Sequence, residues 1–319
     1  MSVSFQYFLW AGFGLLYALL SVPLCIFFLR KNNIMQKVRS DGPPAHLAKS
    51  RTPTMGGLVF LLPILVLFGC EWYLRNPHGI LLSLSGLFGF LLGSLDDELK
   101  HFRGTRGLPA RYRLFLYLVF GAGLAYFRYL TGATVLGVPM LGRTFFLEQG
   151  IFFFLSLYFG LLVSGINFTD GLDGLLCGSY AIILPVFAVA MCPDSLKTGI
   201  WLLFGLCAGF LFYNVFPAEV FLGEVGSQTL AFFLSSAVVL SGQEIPFILM
   251  GSVFFVEVLS VMLQVVFFRT TGKRIFRMSP IHHHFELLGW SEPKVVVRFW
   301  IFTACTSFLT VVLLRQGWI

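Results

Sequence analysis

Apolar residues along this chain do not alternate with polar ones. They run in unbroken blocks of about 20, enough for a helix to cross a hydrocarbon layer roughly 30 Å thick. Such blocks cover 7–29, 56–74, 79–95, 112–130, 150–166, 175–192, 198–216, 228–242, 245–268 and 296–314, predicting ten transmembrane helices. One connection breaks the pattern: between 131 and 149 the stretch Thr134-Val135-Leu136-Gly137-Val138 alternates, which predicts a short β-hairpin. No long linker, low-complexity tract or internal repeat divides the chain. The expected fold is therefore all-α and polytopic, a single integral membrane domain over 1–319.

Composition agrees: the chain is 57% hydrophobic and only 12% charged, far from soluble averages. Charge then orients it, because loops on the cytoplasmic side accumulate lysine and arginine. Three connections take most of the 22 basic residues: 30–55 (Arg30, Lys31, Lys37, Arg39, Lys49, Arg51), 96–113 (Lys100, Arg103, Arg106, Arg111, Arg113) and 269–298 (Arg269, Lys273, Arg274, Arg277, Lys294, Arg298). Arg75, Arg128, Arg143, Lys197 and Arg315 fall at the opposite ends of the spans. An even number of spans then puts both termini on the periplasmic side. The first block has no basic residue before it and Arg30-Lys31 after it, so it reads as a retained helix rather than a cleaved signal. A net charge of +7 suits the anionic inner face of a membrane, and no basic run interleaved with aromatics suggests nucleic acid. The six cysteines lie in or beside apolar blocks without CxxC spacing and read as small core residues.

Four polar clusters interrupt the apolar blocks: Asp96-Asp97-Glu98, Asn167 to Gly174, Asn214 to Ser227 and His282 to Glu286. All four fall on the predicted cytoplasmic side. A carboxylate or imidazole near lipid is expensive, so their grouping argues for function. Asp170 and Asp173 are three residues apart, which puts both on one face of a starting helix, and the flanking glycines allow a ligand close to the backbone. Hard oxygens without a thiolate favour Mg²⁺, which takes one or two carboxylates and completes its shell with water and phosphate. The alternative is that these aspartates only cap or terminate helices. Capping accounts for any one of them, less well for so many on one face. Three adjacent histidines on a loop or strand point in different directions, whereas zinc ligands are usually spaced by two to five residues. Beside Lys273, Arg274 and Arg277 they suit an anion such as a diphosphate instead.

Five segments, GPPAHLAKSRTPTMGG (42–57), Asp96-Asp97, NFTDGLDGL (167–175), YNVFPAEVFLGEVGS (213–227) and GKRIFRMSPIHHHFELLGWSEPKVVVRFW (272–300), resemble the signature segments of the phospho-N-acetylmuramoyl-pentapeptide transferase family, in family order. The resemblance implies ten transmembrane helices in a bacterial inner membrane and an active site on the cytoplasmic face. It implies Mg²⁺-dependent transfer of phospho-MurNAc-pentapeptide from UDP-MurNAc-pentapeptide to undecaprenyl phosphate, giving lipid I and UMP, often by a homodimer among membrane lipids. By motif position, Asp96 deprotonates or orients the lipid phosphate with Asp97 beside it, and Glu224 is a metal ligand, with Asp173 as a second. Lys49, Thr54, Asn167, Asp170, Asp173, Asn214, His282, His283 and His284 match positions around the nucleotide and diphosphate, His282 and Asp173 among the catalytic ones. Two departures stand out: the family's GDxGS reads Gly223-Glu224-Val225-Gly226-Ser227 here, and its GTPTMGG begins with Arg51. The glutamate bears on metal geometry, not on the reaction class. Rival readings are a transferase using another UDP-N-acetylhexosamine, against which HHHFELLGW argues, and a secondary transporter with Glu257 as its intramembrane carboxylate. Glu257 is expected to pair within the bundle, with Gln264 or a neighbouring helix, and receives no catalytic role.

Overall fold

The computed structural model describes residues 3–36, 49, 51–105, 107–132, 135–138, 143–146 and 150–317. Helices dominate: α1 (Val3–Lys31), α2 (Leu61–Tyr73), α3 (Pro77–His101), α4 (Ala110–Leu130), α5 (Gly150–Thr169) and α6 (Leu175–Ala190) in the first part of the chain. The second part forms α7 (Asp194–Asn214), α8 (Gly223–Ser241), α9 (Glu244–Met250), α10 (Ser252–Thr271), α11 (Ile281–Leu287) and α12 (Glu292–Arg315). A 3-10 turn, Gly56–Phe60, leads into α2. Between α4 and α5, β1 (Val135–Val138) pairs antiparallel with β2 (Arg143–Phe146), Val135 opposite Phe146.

Eight helical segments among the described residues are long and apolar enough to cross a membrane: α1, Gly56–Tyr73, α3, α5, α7, α8, α10 and α12. The chain is a multi-pass membrane protein. The other two expected spans fall on α4, whose 21 residues include Arg111, Arg113 and Arg128, and on α6, 16 residues long with Pro185 inside. The expected span 245–268 is instead two helices. Gly251 separates α9 from α10, and a Cβ there would lie 2.5 Å from the Phe247 ring. The backbone folds tightly over an aromatic ring, a turn that hydropathy does not register.

The bundle is built around α8, in which every residue from Val225 to Leu240 is buried. α3, α4 and α5 pack along it. Small residues permit the approach, as in other membrane bundles: a Cβ on Gly93 of α3 would sit 2.2 Å from the Glu224 carbonyl. Phe120 of α4 stacks on Phe159 of α5 at 5.5 Å and meets Phe232 of α8 edge-on at 5.1 Å, interlocking three helices. This apolar plug holds the polar ends of the same helices in register.

The segment before α2 is fastened to the start of α8 by backbone hydrogen bonds. Phe221 N–H donates to Pro53 O (2.9 Å), Gly56 N–H to Phe221 O (2.8 Å) and Gly57 N–H to Leu222 O (2.9 Å). The histidine run is not the loop or strand expected but the short helix α11, entered through Pro280, whose fixed φ and missing N–H suit a helix start. Seven residues are too few for a helix to persist alone, so α11 depends on tertiary contacts.

Candidate active site

α3 carries Asp96 and Asp97 at one end of the bundle, both buried. The Asp96 carboxylate accepts the Leu108 N–H and lies 2.6 Å from Lys100 Nζ, one turn along the same helix. Lys100 also reaches Glu224 at 2.6 Å. Arg113, in the first turn of α4, lies 3.4 Å from Glu224 and 4.0 Å from Asp96. Asn167, near the end of α5, donates to Glu224 (2.9 Å) and to Ser227 (2.9 Å). Gln228, one turn after Glu224, bridges it at 3.3 Å to the Tyr117 hydroxyl at 2.7 Å. Asp97 accepts the Val225 N–H at 2.9 Å and so ties α3 to the first turn of α8. Four segments thus meet at Glu224.

A second group forms around the turn between α5 and α6. Lys49 lies 2.5 Å from both Asp173 and Glu292. Glu292, in the first turn of α12, also accepts the Asp173 N–H (2.8 Å), and the other Asp173 oxygen accepts the Ala218 N–H (3.0 Å). Asn214 accepts the Gly174 N–H (3.2 Å) and donates to Val220 O (2.9 Å), bracing the turn from the end of α7. Thr54 is buried beside these segments, its N–H donating to Ile34 O (3.2 Å).

Asp170 lies between the two groups. Among the described residues no hydrogen bond or ion pair engages its side chain. Burial, then the negative charges of Glu224, Asp97 and Asp173, push its carboxyl up to about 8. Positive charge is what this position lacks. The donor set is carboxylate oxygen without thiolate, which fits Mg²⁺. Among the described residues no three acidic, histidine or cysteine side chains converge closely enough to hold an ion by themselves.

The three histidines diverge. His282 Nδ1 lies 3.0 Å from Glu257 Oε1, His283 Nδ1 2.7 Å from Glu286 Oε2, and His284 Nδ1 accepts the Arg277 N–H at 3.1 Å. Of the three, His282 is fully buried and packs against Gly171, next to Asp170. Glu257 therefore pairs with His282 and not with Gln264, whose amide is bound to the Ile275 N–H (3.1 Å) and to the Phe276 N–H (2.9 Å) and O (3.0 Å). The carboxylate that a transporter would need in its pathway is tied to the end of the bundle where the other polar groups lie.

The structure adds Lys100, Arg113 and Glu292 to the site residues found from sequence, and gives Glu257, expected there only to pair within the bundle, His282 as its partner. Lys100 was visible in principle, since four residues after Asp96 is ion-pair spacing on a helix. Arg113 and Glu292 carried no local sign, because Glu224, the nearest partner of Arg113, and both partners of Glu292 are more than a hundred residues away.

Comparison with known proteins bears on the chain as a whole. Residues 79–242 match the family described as glycosyl transferase family 4, and residues 49–61 match phospho-N-acetylmuramoyl-pentapeptide-transferase signature 1. Curated relatives bearing the name phospho-N-acetylmuramoyl-pentapeptide-transferase align over nearly the whole chain. That of Thermodesulfovibrio yellowstonii is 39% identical, covering 92% of this chain and 88% of its own. The Desulforamulus reducens protein is also 39% identical, over 97% and 96%, and a Clostridium botulinum protein is 37% identical, over 91% of each.

Proposed function

Because the chain belongs to the phospho-N-acetylmuramoyl-pentapeptide transferase family, we infer that it transfers phospho-MurNAc-pentapeptide from UDP-MurNAc-pentapeptide to undecaprenyl phosphate, forming lipid I in peptidoglycan biosynthesis. An oxygen of the lipid phosphate bonds to the sugar-linked phosphorus, the bond from that phosphorus to the bridging oxygen breaks, and UMP leaves with the electron pair. Such a transfer needs alignment and neutralisation of negative charge more than covalent chemistry. The observation that carries the reading is the meeting of Asp96, Lys100, Arg113, Asn167 and Glu224 at one end of the bundle, where Lys100 and Arg113 are partly exposed.

Asp96, held by Lys100 and the Leu108 N–H, orients the lipid phosphate and accepts a proton from it where one remains. Asp97 fixes α3 against α8, so the attacking group and Glu224 keep one spacing. Glu224 and Asp170 would hold Mg²⁺, which when bound supplies positive charge shared with the diphosphate oxygens. Both oxygens of Asp173 already have partners, Lys49 and the Ala218 N–H, and those of Glu224 have Lys100, Arg113 and Asn167, so Asp170 is the carboxylate of the three without a partner among the described residues. Lys100, 31% exposed, and Arg113, 23% exposed, face the opening and neutralise the phosphates. Lys49, Thr54, Asn214 and His282 to His284 shape the pocket for the nucleotide and diphosphate.

The finer topology belongs to the same reading: ten spans, periplasmic termini, a cytoplasmic-face site in the bacterial inner membrane and a homodimer. The cations at the site end, Lys49, Lys100 and Arg113, support that orientation. Purified protein in detergent, supplied with both substrates and Mg²⁺, should release UMP and form lipid I, and release should stop when the metal is chelated. No product under these conditions would overturn the assignment.

A further inference from the structure

We infer that Glu257 is a positioning residue that fixes the orientation and tautomer of His282 at the Asp170–Asp173 turn; the inference rests on the reading of that turn as the substrate site. Glu257 lies on α10 and His282 on α11, and both side chains are fully buried. A buried carboxylate is costly unless it is hydrogen-bonded or paired, so what it touches indicates its role. One Glu257 oxygen accepts the Ile281 N–H at 3.0 Å, at the start of α11. The other lies 3.0 Å from His282 Nδ1. A single side chain thus fixes both the backbone that carries the imidazole and the ring itself.

Two lone pairs 3.0 Å apart repel, so a hydrogen between the two atoms is required, and placing it on Nδ1 makes the contact attractive. In the neutral ring this leaves the lone pair on Nε2. That atom has no hydrogen-bond partner among the described residues. It lies against Gly171, where a Cβ would come within 2.2 Å of it. Asp170 and Asp173 flank that glycine, and Lys49 is bound to Asp173. Neither ring nitrogen completes a hydrogen bond among the described residues, but Nδ1 is held 3.0 Å from Glu257, and Nε2 is directed at the turn that separates the two charged groups. The arrangement has the form of the carboxylate–histidine pairs that orient metal ligands and catalytic bases elsewhere. Its use here is to present the Nε2 lone pair, as acceptor, to a hydroxyl of the nucleotide sugar.

Glu257→Gln tests this with little change in volume. The amide can keep its oxygen on the Ile281 N–H only by turning its NH2 toward Nδ1, which forces the opposite tautomer. The expected result is a kcat loss of about 10- to 100-fold, with KM for UDP-MurNAc-pentapeptide within roughly threefold and an unchanged Tm. Glu257→Asp, which keeps the charge, should recover part of the rate. In the double variant Glu257→Gln/His282→Ala the loss should match that of His282→Ala alone, because both changes remove one function. A kcat within about twofold of wild type for Glu257→Gln, or a loss that multiplies with that of His282→Ala, would overturn the inference. A fully active His282→Ala would overturn the site reading as well, which separates the two failures.

Discussion

Two charged clusters lie at opposite ends of α8, and they differ in what surrounds them. At the far end Arg128 pairs with Glu244, with exposures of 5% and 1%. Arg128 also donates to Val239 O (3.2 Å), and the Tyr158 hydroxyl donates to Glu244 O (3.0 Å). Both side chains are buried. At the near end Lys100, Arg113 and Glu224 are 31%, 23% and 18% exposed, and Asp170 has no ionic partner among the described residues. An ionisable group inside a membrane bundle is commonly a functional suspect. The comparison shows that burial and pairing do not suffice to identify chemistry: the closed cluster is a brace between helices, and the open one has cations that a ligand can reach.

The largest expected effect is at the open end. Asp96→Asn keeps the volume but cannot hold Lys100 as an ion pair or take a proton, and should lower kcat by about 100- to 10,000-fold with little change in Tm. A loss below about tenfold would make Asp96 a structural residue like those of the closed end.

At the closed end the order of effects should reverse. Arg128→Met leaves Glu244 buried and unpaired and should cost about 3–5 kcal/mol of stability. It should be read as a lower Tm in detergent, with turnover per folded molecule unchanged. Arg128→Met combined with Glu244→Leu should recover much of the stability, because neither charge then remains unpaired. A drop in kcat at full folding would erase the distinction between the two ends.

Glu224→Gln removes an anion from the open cluster and should lower activity about 10- to 100-fold, while raising the Mg²⁺ concentration needed. Glu224→Asp, one methylene shorter, should stay active and shift only the Mg²⁺ titration. An unaltered titration for the glutamine variant would show that Glu224 serves its protein partners, Lys100, Arg113, Asn167 and Gln228, and not the metal.

The smallest effect belongs to Glu292→Gln, which leaves Lys49 with Asp173 as its charged partner. KM for the nucleotide sugar should rise about three- to tenfold, the scale of one weakened charge-assisted hydrogen bond, with kcat nearly constant. A change in kcat alone would move Lys49 from binding to the chemical step.

Much of this was legible along the chain. Long apolar blocks report a lipid solvent, because a helix in hydrocarbon must hide its backbone and show apolar side chains. The polar clusters fell between blocks on one predicted side, and the structure brings Asp96, Asn167 and Glu224 together as their motifs suggested. Less visible were the split at Gly251, which depends on one ring packing under one glycine, and α11, which is helical only because its neighbours bind its start and end. Glu257 stood out as an intramembrane carboxylate, and of its two expected partners, Gln264 or a neighbouring helix, the structure gives the second, His282 of α11. Seven residues separate Glu257 and Gln264 on one helix, and the amide is taken by backbone groups arriving from outside it.

The sequence by itself determined the solvent, the segments that carry chemistry and the family, since each is written in residue types within a short window. Only the tertiary structure decided which charges meet. Lys100 and Glu224 are 124 positions apart and Lys49 and Glu292 are 243 apart, so their pairing depends on which helices become neighbours. That choice is made by the fit of glycine against backbone and phenylalanine against phenylalanine along α3, α4, α5 and α8. Packing of this kind sums many small contacts over the whole bundle, and no single stretch of the chain contains it.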